Sequence, residues 1–212
     1  MSRRRNHPLF ARIFARASPA MDAEGAADHR RLLLAGAEGR VIEVGAGTGA
    51  NFVHYPPAVT GVLAVEPEPY LRRLAVEAAA RAPVPVEVVD GCAERLPAGD
   101  GAFDVAVASL VLCSVPDQRA ALLEMRRVVR PGGQLRFYEH VRAGTPGLRR
   151  AQRVVDATLW PLLLGGCHTG RNTAAAIEAA GFVIDRLDRF AFPETGPPNP
   201  SSPHVLGRAT RP

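Results

Sequence analysis

The residues best suited to binding a ligand lie in one short stretch, Arg40 to Asn51, which reads RVIEVGAGTGAN. Gly45, Gly47 and Gly49 alternate after an apolar run, and glycine accepts backbone angles that other residues avoid and lets a ligand approach the main chain. A buried strand that runs into such a turn and then a helix is the usual opening of a nucleotide-binding α/β unit. The stretch therefore predicts a site for a nucleotide-like cofactor.

Two carboxylates flank this turn. Glu43 precedes Gly45 by two residues, and Glu66 ends the next predicted strand. Glu66 is placed to accept hydrogen bonds from ribose hydroxyls whichever nucleotide binds. Glu43 would repel the pyrophosphate of NAD but attract an ammonium group. The spacing from Gly45 to Ala50 alone also matches GxGxxG/A, so an NAD-dependent oxidoreductase is a remote alternative.

Alternating strands and helices are predicted to position the turn. Apolar runs predict strands at 41–44, 62–65, 86–89, 103–110, 134–140, 182–187 and 204–209. Helical spacing predicts helices at 28–35, 71–82, 118–129 and 173–180. Such alternation favours a parallel sheet covered on both faces, while the last two strands, with no helix between them, must pair antiparallel. We predict an α/β, Rossmann-like three-layer sandwich whose seven-stranded, mostly parallel sheet is closed by an antiparallel C-terminal hairpin.

The first residues, 1–37, are predicted to form a helical cap in front of a domain of residues 38–212. Apolar residues at helical spacing predict an amphipathic helix with Leu9, Ile13 and Phe14 on one face. We expect this helix to pack on the domain or to cover the ligand as a lid. Because arginines lie nearby, contact with a membrane surface is an alternative.

Composition predicts one soluble globular domain. Of the 212 residues, 47% are hydrophobic and 22% are charged, and no apolar run approaches the roughly 18 residues of a membrane span. No signal-peptide core follows the basic run Arg3 to Arg5, so we expect a cytoplasmic protein. The net charge of +5 is spread along the chain without a known nucleic-acid motif, so nucleic acid is not an expected partner.

The cysteines are odd in number and widely spaced, at Cys92, Cys113 and Cys167. They predict neither a disulfide framework nor a CxxC metal pair, and we expect no metal site. Most free cysteines are buried small hydrophobes.

Two further stretches complete the pattern. Cys92-Ala93-Glu94 follows the third strand, where an adenine could bind, and Arg127-Val-Val-Arg-Pro-Gly-Gly133 precedes the fifth. With the glycine turn and the hairpin, they resemble class I S-adenosylmethionine-dependent methyltransferases, in the type 11 branch that includes the ubiquinone and menaquinone methyltransferases. The stretches Gly49-Ala-Asn-Phe-Val-His-Tyr-Pro-Pro57 and Leu110-Val-Leu-Cys-Ser-Val115 are similar to methyltransferase-like proteins that methylate alkyl thiols.

The resemblance implies a site for S-adenosylmethionine. The implied cofactor-binding residues are Glu43, Gly45, Ala46, Gly47, Gly49, Glu66, Cys92, Ala93, Ser109 and Leu110. Glu43 would lie near the amino group, Glu66 would take both ribose hydroxyls, and the two residues that end the fourth strand would line the methionine end. Many relatives have Asp where this chain has Cys92, so Asp90 or backbone carbonyls are expected to meet the adenine.

The acceptor decides whether a protein base is needed. A thiol has a pKa near 8.5, so a few per cent is thiolate at neutral pH, whereas a phenol or carbon acid needs more help. His140 and Glu139, at the carboxyl end of the fifth strand, are the candidate catalytic residues, and His168 is a further candidate base.

The segment from 148 to 167 carries more apolar residues than a connector needs: Val154, Val155, Leu159, Trp160 and Leu162 to Leu164. It is predicted either to pack on the sheet or to wall an apolar acceptor pocket. The second prediction implies a small, fairly apolar acceptor. The resemblance favours a thiol as the acceptor, with C- or O-methylation of a quinone-like or secondary-metabolite ring as the alternative. A different alternative is a protein that binds the cofactor without catalysing a reaction. No pattern requires an oligomer.

Overall fold

The computed structural model describes residues 7–158, 160–194 and 197–212. Expectations that involve Arg3 to Arg5 or Leu159 fall outside these residues. The described residues form one seven-stranded sheet in the order β3-β2-β1-β4-β5-β7-β6. Its strands are β1 (Gly39–Val44), β2 (Val59–Val65), β3 (Val86–Val89), β4 (Phe103–Ser109), β5 (Val129–His140), β6 (Val183–Ala191) and β7 (Pro203–Thr210).

The five N-terminal strands pair in parallel, and β7 pairs antiparallel with both β5 and β6. This confirms the predicted sheet and hairpin. The last strand in the chain is not the edge of the sheet, because β7 inserts between β5 and β6. β4 lies at the centre of the sheet and is buried over most of its length, which explains its unbroken apolar run.

Helices cover both faces of the sheet: α1 (Pro8–Met21), α2 (Ala27–Leu34), α3 (Pro69–Ala79), α4 (Gln118–Val128), α5 (Pro146–Asp156), α6 (Trp160–Leu163) and α7 (Thr173–Ala179). A kinked segment, Asp22–Ala26, joins α1 to α2, and Gly25 within it has a non-helical φ of 118°. None of the helices in these described ranges is long and apolar enough to cross a membrane.

Alternation along β1 separates two hydrophobic cores. Ile42 and Val44 face one core with the buried side of α4, whereas Val41 faces the other with Leu33 and Leu34 of α2. Because successive side chains of a strand point to opposite faces, Glu43 lies on the α2 face. The face on which Glu43 lies determines which residues can form hydrogen bonds with it.

The stretch Pro131 to Gly133, which was predicted to precede the fifth strand, is part of β5 instead. Val129 already pairs with Phe103 of β4, and the register shifts before Gln134 pairs with Val105. The irregularity absorbs the extra residues, as a bulge does, so the strand resumes beyond it.

Candidate functional site

The glycine turn lies at the carboxyl end of β1, where ligands bind in such sheets. Gly45, Gly47 and Gly49 have φ angles of 71°, 58° and 79°. A Cβ atom on Gly45 would collide with the Val111 side chain, and one on Gly49 would lie 2.8 Å from the Cβ of Ala78. The turn therefore requires glycine for its angles and for its close packing on the loop after β4 and on α3.

Glu66 faces the turn from the end of β2. One carboxylate oxygen accepts the Gly47 N–H at 2.8 Å and the other accepts the Glu68 N–H at 2.9 Å. Burial raises the pKa of Glu66 to about 7, against the opposing effect of these two N–H groups. Each oxygen can accept a further hydrogen bond, so the geometry is compatible with the predicted ribose contact.

Glu43 is almost fully buried beside the turn, with both oxygens engaged by the protein. Asn51 Nδ2 donates at 2.9 Å and Tyr55 Oη donates at 2.6 Å. Burial raises the pKa of Glu43 to about 7, while its two hydrogen bonds and nearby Arg30 oppose the shift. Glu43 therefore supports the turn from beneath, and any contact with a cofactor must share its occupied oxygens.

Arg30 connects the N-terminal segment to this carboxylate. Its Nη1 donates to Asn51 Oδ1 at 3.1 Å and to Ser109 Oγ at 3.4 Å, and its Nε pairs with Asp22 at 3.0 Å. Sequence analysis missed Arg30 and the roles of Asn51 and Tyr55. Asn51 and Tyr55 lie within the 49–57 stretch, whose similarity to methyltransferase-like proteins could have indicated their roles. No sequence pattern indicates a role for Arg30.

The predicted adenine side is built differently from the glycine turn. Ala93 is buried in a hydrophobic core, and Cys92 is half-buried, with its carbonyl accepting the Arg95 N–H at 3.1 Å. Asp90 pairs with Arg72 at 3.2 Å. Arg72 also donates to the carbonyl of Glu66 at 2.8 Å, which links this side of the site to the end of β2.

Leu110 holds a strained backbone angle immediately after β4. Its φ is 59°, the left-handed region that few non-glycine residues adopt. Its N–H donates to the Tyr138 carbonyl of β5 at 2.7 Å. Strain of this kind costs about 1–3 kcal/mol and is found mostly at functional sites, which supports the predicted position of Leu110 at the ligand.

Glu139 anchors the loop that follows Leu110. Its carboxylate accepts the backbone N–H groups of Val111, Leu112 and Cys113 at 2.9, 2.8 and 3.1 Å. The side chain is fully buried, and burial raises its pKa to about 7 despite these hydrogen bonds. This geometry favours a positioning role over the predicted catalytic one.

His140, at the end of β5, lies between two buried cysteines. Its Nδ1 is 3.5 Å from Cys113 Sγ and 3.8 Å from Cys167 Sγ. The neighbouring Cys113 thiol and the His140 ring lower the pKa of Cys167. His168 does not join them, since its Nδ1 lies 2.7 Å from the Gly166 carbonyl oxygen.

The helix α1 covers the carboxyl edge with two phenylalanines. A Cβ atom on Gly47 would lie 3.3 Å from the Phe14 ring, and Phe10 packs on Gly165 and stacks on Phe14 at 5.7 Å. The prediction that Leu9 and Ile13 share the packed face of this helix with Phe14 was wrong. Leu9 and Ile13 face solvent because the helix is fixed by Phe10 and Phe14.

The segment predicted as an acceptor wall buries only part of its apolar surface. Val154, Leu162 and Leu163 are exposed, whereas Gln152 is buried. Gln152 donates to the carbonyls of Val141, Thr169 and Pro200 and accepts the Ala143 N–H, so a polar side chain fixes α5 to three loops. The apolar surface of α5 and α6 therefore does not form a closed pocket by itself.

Two open cavities lie outside the glycine turn. One, of about 690 Å³, is lined on α5 by arginines that include Arg149, Arg150 and Arg153. The other, of about 560 Å³, lies between His29 and Phe192. Neither is lined by a residue of the turn, which Phe14 covers.

Comparisons with known proteins agree on one enzyme class. A family model described as "Methyltransferase domain" matches residues 42–137. Thiol S-methyltransferase TMT1B of Homo sapiens is 36% identical over 183 residues, covering 84% of this chain and 74% of that protein. Ubiquinone/menaquinone biosynthesis C-methyltransferase UbiE of Methylobacterium nodulans is 32% identical over 108 residues, covering 51% of this chain and 40% of that protein.

Solved structures share the fold at low identity. An S-adenosylmethionine-dependent methyltransferase of Thermotoga maritima superposes with a TM-score of 0.69 and 22% identity, covering 96% of this chain and 98% of that one. Geranyl diphosphate methyltransferase in complex with S-adenosylmethionine gives a TM-score of 0.68 and 14% identity, covering 89% and 85%. These matches establish the architecture.

Proposed function

The chain belongs to the S-adenosylmethionine-dependent methyltransferases, and we propose that it methylates a small, fairly apolar thiol. The observation that carries the proposal is the extent of the similarity. The thiol S-methyltransferase of Homo sapiens is similar over 84% of this chain, whereas the quinone C-methyltransferase of Methylobacterium nodulans is similar over 51% of it. The first similarity extends well beyond the residues 42–137 that the methyltransferase family model matches.

The residues around the glycine turn fit the cofactor. When bound, S-adenosylmethionine supplies a methyl group activated by a sulfonium. Glu66 would accept hydrogen bonds from the ribose hydroxyls, because each of its oxygens has acceptor capacity beyond the Gly47 and Glu68 N–H groups. Gly47 would present its backbone beneath Phe14, in a gap too narrow for a larger residue to enter without displacing that ring.

Glu43 would act on the cofactor's ammonium group through charge more than through direct contact. Asn51 and Tyr55 occupy one position on each of its oxygens and hold the carboxylate in place. A fixed carboxylate close to the methionine end favours a cation there. Ala46, Cys92, Ala93, Ser109 and Leu110 complete the proposed cofactor site.

The chain's contribution to methyl transfer is alignment and the exclusion of water. The reacting atoms must lie about 3 to 3.5 Å apart and in line. Leu110, held in a strained conformation by the Tyr138 carbonyl, would fix one wall of this geometry, and Phe14 would cover the other side. A thiol acceptor loses its proton readily near neutral pH, so no side chain has to remove it.

The test is release of adenosylhomocysteine from adenosylmethionine, with an alkyl thiol as acceptor and a phenol or quinol beside it. We expect turnover with the thiol. Turnover only with the ring compounds would reject the thiol proposal and direct attention to His140 as a base. Binding of adenosylhomocysteine, followed separately by a thermal shift, is expected whichever acceptor is used, and NADH is the control that should give none.

A further inference from the structure

We propose that Cys113, His140 and Cys167 form a binding site for a thiolate-preferring metal ion of the zinc class. The assignment does not depend on the identity of the methyl acceptor. The ligand atoms, Cys113 Sγ, His140 Nδ1 and Cys167 Sγ, all lie within 4.8 Å of one another. Within the ranges that the structure describes, these residues form the candidate metal cluster.

The distances in the cluster match a tetrahedral zinc site. Zinc bonds of about 2.3 Å to sulfur and about 2.0 Å to nitrogen place neighbouring S and N ligands about 3.5 Å apart. The sulfur-to-nitrogen distances here are 3.5 Å for Cys113 and 3.8 Å for Cys167. A metal ion therefore needs little rearrangement of the three side chains. Two thiolates and one imidazole form a donor set that suits zinc.

The backbone around the cluster is fixed by hydrogen bonds and close packing within the protein. Glu139 accepts the Cys113 N–H, and the Cys113 carbonyl accepts the His168 N–H at 2.8 Å. Gly166 has a φ of 91°, and a Cβ atom there would lie 2.7 Å from the Ser114 carbonyl oxygen. Only glycine lets the two cysteine-bearing loops approach this closely, so the backbone of both cysteines is held in place without an ion.

The cluster supplies three protein ligands and leaves one tetrahedral position for water or another external donor. Zinc sites with three protein ligands and an open position are the catalytic type, whereas closed four-ligand sites are structural. On binding, both thiols must become thiolates, so up to two protons leave the protein as the metal enters. His140 would bind through Nδ1, which removes that nitrogen from any role as a base.

The spacing explains why motif analysis found no metal site. His140 lies 27 residues after Cys113 and 27 residues before Cys167. Common zinc motifs place two ligands within a few residues of each other. Here each ligand comes from a different loop or strand end, and the fold brings them together.

The first test is a zinc titration of the full chain, reduced and stripped with a chelator, in competition with a chromophoric chelator. We expect one zinc per chain, and at least about a tenfold loss of affinity in Cys113→Ser, Cys167→Ser and His140→Asn. Cys92→Ser is the matched control and should bind zinc as the unmodified chain does. An unmodified chain that binds no stoichiometric zinc, or a control that loses as much affinity as the three variants, would overturn the proposal.

A second measurement needs no variant, so misfolding cannot confuse it. Cobalt in place of zinc should give the thiolate-to-metal absorption of a tetrahedral sulfur site. A cobalt-loaded chain without that absorption would contradict the assignment.

Discussion

At the scale of single residues, the site is distinguished by buried carboxylates without an equal number of buried cations. Glu43, Glu66 and Glu139 all have a pKa raised to about 7, with burial as the largest cause in each case. A carboxyl group whose pKa is higher in the folded state binds more protons when folded, so its contribution to stability falls as pH rises. That loss runs from the unfolded pKa near 4.5 to the folded pKa near 7.

The first prediction concerns Glu43→Gln and stability. Glutamine can still accept from Asn51 and can donate to the Tyr55 oxygen, but it carries no charge. Between about pH 4.5 and 7, the free energy of unfolding of the unmodified chain should fall more than that of the variant, by on the order of 1–3 kcal/mol. Urea unfolding across this range measures both slopes. Because Glu66 and Glu139 remain, the variant should still lose some stability as pH rises. An identical dependence of the free energy of unfolding on pH in both proteins would contradict the prediction.

The second prediction concerns Glu66→Gln and cofactor affinity. An ionised Glu66 accepts two hydroxyl hydrogen bonds better than a protonated one, so the Kd for adenosylhomocysteine should rise as pH falls below about 7. One linked proton limits this rise to about tenfold per pH unit. In the glutamine variant we expect affinity at pH 8 to be about 10- to 100-fold weaker and nearly independent of pH. Isothermal titration at several pH values measures this, and a variant with the unmodified pH profile would remove Glu66 from the site.

At the scale of elements, the helix α1 acts through the two rings that it places on the carboxyl edge. Its apolar spacing was readable from the sequence, but its rotation was not, because exposed apolar residues such as Leu9 are common on protein surfaces. Phe10 packs against Gly165 and Phe14 packs against Gly47, and both glycines lie far from the helix in sequence. A helical pattern therefore predicts the helix, but it does not predict which face packs on the domain, because that depends on glycines far away in the sequence.

The third prediction compares two neighbours on this helix. Phe14→Ala should open the cover above Gly47 and increase the dissociation rate of adenosylhomocysteine at least about tenfold. That is the loss expected for removing an aromatic contact with the ligand worth more than about 1.4 kcal/mol. Ile13→Ala, at an exposed position one residue away, is the control and should leave the rate unchanged. Stopped-flow displacement measures both. Equal rates in the two variants would mean that α1 packs on the domain without covering the ligand.

At the scale of the whole molecule, the alternation of apolar runs predicted a mostly parallel sheet between helical layers and its antiparallel C-terminal hairpin. It predicted neither the strand order nor the polar network. Arg136, for example, donates to the carbonyls of Leu33, Ala35 and Gly36, about 100 residues away in sequence, and so fixes the end of α2 against β5. The same holds for Arg30 and Asn51. Local patterns carry no information about such partners, because each depends on strands that meet only after folding.

The fourth prediction tests how tightly the hairpin is joined to the sheet. A Cβ atom on Gly207 of β7 would lie 2.6 Å from the Phe137 ring and also against the Arg186 carbonyl oxygen. Gly207→Ala should therefore lower the free energy of unfolding by about 1–3 kcal/mol. Gly61→Ala in β2, where the nearest atom is 3.9 Å away, is the control and should change it by less than about 1 kcal/mol. Urea denaturation distinguishes the two, and equal stabilities would contradict the packing at β7.

The contacts of α2 have a consequence for chain continuity. Leu33 and Leu34 are buried in the core, Arg30 reaches Asn51, and Arg136 holds the three carbonyls at the end of the helix. Residues 7–37 and 38–212, made as two separate polypeptides, should therefore recognise each other and reassemble. Fragment complementation would then give a two-piece protein in which the loss of one short peptide exposes the glycine turn.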